Sequence, residues 1–138
     1  MVMSQWSLNF DKRIDYGRYD EITVEIALAV GDSLATVDAK LDTGSKFCVF
    51  QPRYARLLQL DLEQGIPERI RTAAGSFPSY GHEVTLQVGD LQWDTTVYFA
   101  EPEDFPINVI GRIGFLDHLQ IGLVDYDQLF YFSPYEIL

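Results

Sequence analysis

An apolar alternation, Ala35, Val37, Ala39 and Leu41, runs directly into Asp42-Thr43-Gly44-Ser45. Alternation with a period of two marks a strand with one buried face. The strand therefore ends on an acid, and Gly44 lets the backbone turn where a side chain would clash. Thr43 and Ser45 each carry a hydroxyl within reach of the Asp42 carboxylate or of nearby backbone groups. Asp, Thr, Gly and Ser are also common turn residues. A surface acid, however, needs no mounting between a strand end and a tight turn, so Asp42 reads as a positioned acid.

The same alternation recurs along the chain. Val24, Ile26, Leu28 and Val30 predict a half-buried strand, Gly31-Asp32-Ser33 a turn, and Leu34 to Leu41 the returning strand. Phe47 to Phe50 predict a short buried strand. Pro52 suits the first turn of a helix, Tyr54, Leu57 and Leu58 have helical spacing, and Gly65 with Pro67 closes the segment. Ile70 and Thr72, then Val84, Leu86 and Val88, flank the loop tip Ala74-Gly75-Ser76-Phe77-Pro78. That pattern predicts a long hairpin, either a plain surface hairpin or a mobile cover. Leu91, Trp93, Thr95, Val97 and Phe99 predict another strand. Ile113, Phe115, Leu116 and Leu119 have the spacing of a second helix, with His118 near its end. Ile121 to Asp125 and Leu129 to Phe132 predict a last hairpin around Tyr126-Asp127-Gln128. Residues 1–20 mix aromatic and charged side chains and read as an N-terminal arm or an edge strand. With no linker or repeat, residues 1–138 read as a single domain.

A net charge of −11 argues against nucleic acid and against anionic membrane surfaces, both of which would repel it. The single cysteine, Cys48, excludes an internal disulfide. Its apolar neighbours Phe47, Val49 and Phe50 predict a buried thiol rather than a nucleophile. His82, just past the hairpin tip, reads as exposed. The acids of Glu101-Pro102-Glu103-Asp104 read as a solvated loop, not a metal site, and no cofactor motif is present. No signal peptide or membrane span is visible, which makes the cytoplasm the default location.

Leu41-Asp42-Thr43-Gly44-Ser45 resembles the catalytic loop of the aspartic proteases, and Asn108-Val109-Ile110-Gly111-Arg112 resembles the apolar-apolar-Gly-Arg segment that retropepsin-like proteases place beside it. The resemblance spans roughly Ile22 to Gln120. It implies an all-β, retropepsin-like closed β-sheet domain with one or two short helices. It further implies an aspartic endopeptidase acting on a peptide or protein substrate. Asp42 would be catalytic, Thr43 and Gly44 would scaffold the loop, and Ser45 would tune it. Residues Ala74 to Pro78 would form the flap, and Gly111 and Arg112 would be structural. Such chemistry needs two carboxylates around one water, and two like charges about 3 Å apart cannot both be ionised. The chain has one Asp-Thr-Gly, hence half a site. A homodimer would supply the other half, with Thr43 bonding across the two-fold axis. A Ser45 hydroxyl donated to Asp42 would favour its ionised form and an acidic pH optimum.

Two departures from the family stand out. Lys46 occupies the position of the aspartate that pairs with the family arginine, so Arg112 needs another partner if its stem lies near the core. The C-terminal hairpin replaces a single terminal strand, which changes the dimer contacts. Alternatives to a homodimeric enzyme are a non-catalytic peptide-binding or dimerisation module that keeps the fold, and a half-site completed by a different protein.

Overall fold

A computed structural model describes residues 4–135. Ten strands and one α-helix follow in chain order: β1 (Lys12–Asp15), β2 (Thr23–Val30), β3 (Ser33–Leu41), β4 (Val49–Phe50), α1 (Pro52–Leu57), β5 (Ile66–Thr72), β6 (Gly75–Val88), β7 (Leu91–Ala100), β8 (Val109–Ile110), β9 (Leu119–Val124) and β10 (Leu129–Pro134). The fold is all-β, as expected.

The larger sheet runs in the order β2-β3-β8-β4-β7-β6-β5. It closes on itself because β2 also pairs with β6, at Ala27↔Gln87, Leu28↔Leu86 and Ala29↔Thr85. Six strands thus form a ring, and β5 hangs from β6 as a free edge. The β2–β3 hairpin turns through Gly31-Asp32, with Gly31 at φ 56, a left-handed conformation suited to glycine. Val24, Ile26 and Leu28 on β2 and Ala35, Val37 and Ala39 on β3 point into the ring and are buried.

A second antiparallel sheet, β1-β10-β9, packs on the same core. Tyr16, Phe130 and Phe132 belong to one apolar cluster with Val24, Leu28, Phe50 and Phe99. Fully burying one such aromatic ring contributes about 1.5–3 kcal/mol. Within the N-terminal segment, Lys12 to Asp15 form an edge strand on β10; residues 1–3 lie outside the described residues. A smaller cluster, Val49, Ile70 and Ala100 with Phe47, Phe77, Tyr98 and Phe105, lies beneath the β5–β6 hairpin. It seats that hairpin over the loop that follows β3.

The first helix forms at Pro52 as expected but is shorter than the pattern suggests, and the second does not form. α1 starts at Pro52 but stops at Leu57, and Leu57 itself is exposed while Tyr54, Ala55 and Leu58 are buried. Gln59 takes φ 59, and the amide of Leu60 donates back to the Ala55 carbonyl, which closes the helix well before Gly65. Among the described residues no α-helix follows Arg112; the stretch from Ile113 to Leu119 holds a 3₁₀ turn at Leu116–His118. Gly114 sits at φ 106, outside helical space, and a Cβ there would lie 3.3 Å from the Cys48 sulfur and from the Thr96 carbonyl oxygen. The close packing of Gly114 thus breaks the segment that apolar spacing alone marks as helical. The C-terminal hairpin forms as predicted, with Gln128 at φ 56 before β10.

Candidate active site

Asp42 leaves the end of β3, where β8 runs parallel to it. The Lys40 amide donates to the Asn108 carbonyl at 2.8 Å, and the Asp42 amide donates to the Ile110 carbonyl at 3.0 Å. The chain then folds over itself. The Gly44 amide donates to Asp42 Oδ1 at 2.9 Å, and the Ser45 amide donates to the Asp42 carbonyl at 3.1 Å. The outgoing limb is held by the segment just after β8: the Arg112 amide donates to the Ser45 carbonyl at 2.9 Å and that of Ile113 to the Lys46 carbonyl at 2.8 Å. Both motifs singled out in the sequence are thus stitched together through their backbones.

Gly111 sits at the crossing. A Cβ on it would lie 2.5 Å from the carbonyl oxygens of both Ser45 and Phe47. No real Cβ makes such contacts, so only glycine lets the two loops approach. Cys48 closes the packing from behind. Its sulfur accepts the Gly111 amide at 3.4 Å, and burial pushes the thiol up to about 12. A thiol held neutral so far above neutrality is no nucleophile.

Asp42 is half-buried, and Thr43 and Gly44 are exposed. The Ser45 hydroxyl does not reach the Asp42 carboxylate; it donates to the Phe47 carbonyl at 2.7 Å. The group that reaches the carboxylate is the Gly44 amide, which fixes the orientation of the Asp42 side chain.

A cleft of about 530 Å³ opens between this loop and the β5–β6 hairpin. Asp42, Gly44 and Ser45 line one side, Ile70 and Phe77 the other, and Phe105 an end. Of the five flap residues expected from sequence, only Phe77 lines it. Ala74, Gly75, Ser76 and Pro78 do not. The turn is made by Ala73-Ala74, between Thr72 and Gly75, and Ser76, Phe77 and Pro78 already lie in β6 opposite Arg71, Ile70 and Arg69. Instead, residues 68–73 of β5 and the turn cover the cleft. Their signal in sequence was the alternation through Ile70 and Thr72, masked by the stronger Gly and Pro punctuation after it.

Arg112 departs most from expectation. Its side chain is exposed, and among the described residues no ion pair or side-chain hydrogen bond holds it. Its backbone amide, not its guanidinium, ties the loops. With Thr43, Ile113, Leu116 and Asp117 it borders a separate depression of about 360 Å³. Lys46 is also exposed, its ammonium 5.2 Å from the centre of the Phe47 ring. His82 is half-buried rather than exposed, 2.9 Å from the Leu62 carbonyl. His118 stacks on Trp93, with ring centres 5.0 Å apart. Neither histidine lines the cleft. Among the described residues, no group of three or more His, Cys, Asp or Glu could hold a metal ion, and no helix is long and apolar enough to cross a membrane.

The span from β2 through both motif loops has a counterpart among known proteins. A family model described as aspartyl protease matches residues 23–113, about two thirds of the chain. The chain belongs to the aspartyl protease family. Among solved structures, this aspartyl protease family member is similar to a retropepsin-like aspartic protease from Rickettsia conorii, with a TM-score of 0.64 and 16% identity over 88% of this chain and 98% of that one. It is also similar to the EIAV protease in complex with the inhibitor HBY-793, with a TM-score of 0.55 and 20% identity over 72% of this chain and 88% of that one. At such identities the likeness is one of fold. No curated protein sequence matches.

Proposed function

We propose that this aspartyl protease family member is an endopeptidase that works as a homodimer, cleaving peptides or proteins with a water activated by two Asp42 carboxylates, one from each chain. The observation that supports the reading is the half-site itself: one Asp-Thr-Gly loop, tied by backbone hydrogen bonds to the segment beside it, lining a cleft of about 530 Å³. The two Asp42 groups would share a single proton. The ionised one takes a proton from the water as it attacks the scissile carbonyl, and the protonated one donates to the carbonyl oxygen. Thr43, exposed beside the loop, is free to bond across the two-fold axis, and Gly44 allows the close approach. Residues 68–73 and Phe77 cover the substrate. The chain would act as one domain in the cytoplasm, a setting compatible with its single buried thiol.

Asp42→Asn tests the reading. The amide keeps the volume and cannot act as base, so cleavage of a peptide library across the acid range should vanish while the thermal melt stays the same. Sedimentation of the parent should show a dimer at micromolar concentration. A variant that cleaves as fast as the parent overturns the assignment of Asp42. A folded parent that cleaves nothing favours the binding module.

A further inference from the structure

Side chains along β5 alternate between two faces, and Glu68 shares with Ile70 the face that looks into the cleft. Arg69 and Arg71 project from the other face, where the Ser76 hydroxyl accepts the Arg69 guanidinium at 3.2 Å. Ile70 is buried in the small apolar cluster with Val49 and Ala100. Glu68 is half-buried, opposite Ser79 in the strand register. The Ser79 hydroxyl donates to the Glu68 backbone carbonyl at 2.7 Å and leaves the carboxylate alone. Among the described residues no ion pair or hydrogen bond holds that carboxylate. Aromatic rings surround this face: Tyr98 packs on Phe47, and Phe77 on Phe105, each at 4.7 Å between ring centres. Burial, and after it the charge of Glu68, raise the Tyr98 phenol above the usual tyrosine value.

A carboxylate set among apolar and aromatic side chains has given up part of its hydration, and only a partner returns what was lost. Lys46, on the facing loop, stays exposed over the Phe47 ring and pairs with no carboxylate among the described residues. The cation that Glu68 lacks is one that a substrate can bring. We infer that Glu68 is a specificity residue of the cleft: it takes the ammonium or guanidinium of a Lys or Arg side chain, in a peptide whose apolar side chains lie against Ile70, Phe77 and Phe105. The inference rests on the endopeptidase reading for cleavage, but not for binding. The net charge of −11 draws any cationic peptide toward the molecule. A preference for Lys at every position would come from that field alone, whereas the preference due to Glu68 is confined to one position of the peptide.

The experiment uses labelled apolar octapeptides in which a single Lys, Gln or Glu is stepped through every position. Binding to the full chain is read by fluorescence anisotropy and cleavage by mass spectrometry. At one position Lys should bind and be cleaved about fivefold better than Gln, the upper end for a partly exposed ion pair. Glu68→Gln, close to the parent in shape, should melt like it and abolish that difference at that position alone. Glu68→Lys should turn it into a preference for Glu. Cleavage with no position-specific preference, or with one that survives Glu68→Gln, overturns the inference and leaves the endopeptidase; Glu68 would then be an inward charge that only guards the free edge of β5 against pairing with another chain. Position-specific binding that needs Glu68, without cleavage, upholds the inference and overturns the endopeptidase. Neither binding nor cleavage overturns both.

Discussion

Gly111 and Arg112 are neighbours with opposite demands. Gly111 is required by its surroundings: two carbonyl oxygens converge on the space a Cβ would fill, and neither can move without disturbing the Asp42 loop. Gly111→Ala should therefore lower stability by about 3 kcal/mol, the upper end for an overpacked site, seen as a lower urea midpoint. An unchanged midpoint would mean that the loops can part at little cost. Arg112 makes its structural bond through an amide that any residue other than proline would supply. This difference explains what was legible at this scale. Asp42-Thr43-Gly44-Ser45 declares its turn in its own residue types, because the bonds that shape it run between neighbours. The environment of Arg112 is set by what packs nearby from distant segments, and the apolar residues before it belong to β8, not to a pocket for its side chain. The Ser45 hydroxyl was likewise ambiguous: a carboxylate and a carbonyl both lie within a few residues of it, and the carbonyl of Phe47 takes it.

At the scale of elements, alternation identified β2, β3, β7 and the hairpins, since each strand faces the core on one side and water on the other. Turns and short helices were less legible. The β5–β6 tip combines Gly75, at φ 128, with a side chain that bridges the turn. Thr72 Oγ1 donates to the Gly75 carbonyl at 3.0 Å and accepts the Ala74 amide at 3.2 Å. Thr72→Val keeps the shape and removes both bonds. The Ala74 amide should then exchange with solvent several-fold faster, for a loss of about 1 kcal/mol in the local opening free energy, while the melting temperature of the whole chain barely moves. Exchange at the parent rate would show that strand pairing alone holds the tip. The lost second helix has a similar origin: apolar spacing satisfied the helical pattern, but Gly114 sits at φ 106, its carbonyl accepting the Trp93 indole at 2.9 Å, a bond from a distant strand that no local pattern reports.

For the whole molecule, closure of the large sheet depends on β2 meeting β6, some sixty residues apart in sequence. Such a pairing leaves no mark in either strand, so an all-β domain could be read from the chain while the ring relied on the family resemblance. The proposed half-site makes a prediction at the same scale. If activity needs two copies, the rate per chain should fall on dilution below the dimer dissociation constant, and the concentration dependence should match that of dissociation measured by sedimentation. A rate per chain that is independent of dilution, with monomer as the only species, would rule out the shared site. The register of β3 against β8 also bears on synthesis. The acid-bearing loop is spoken for by carbonyls and amides of residues 108 to 113, which leave the ribosome long after Asp42 does. A nascent chain shorter than that has the bonds within Asp42-Thr43-Gly44-Ser45 but not those that join the loop to β8, so the acid is fixed against the sheet only once residue 113 has been made.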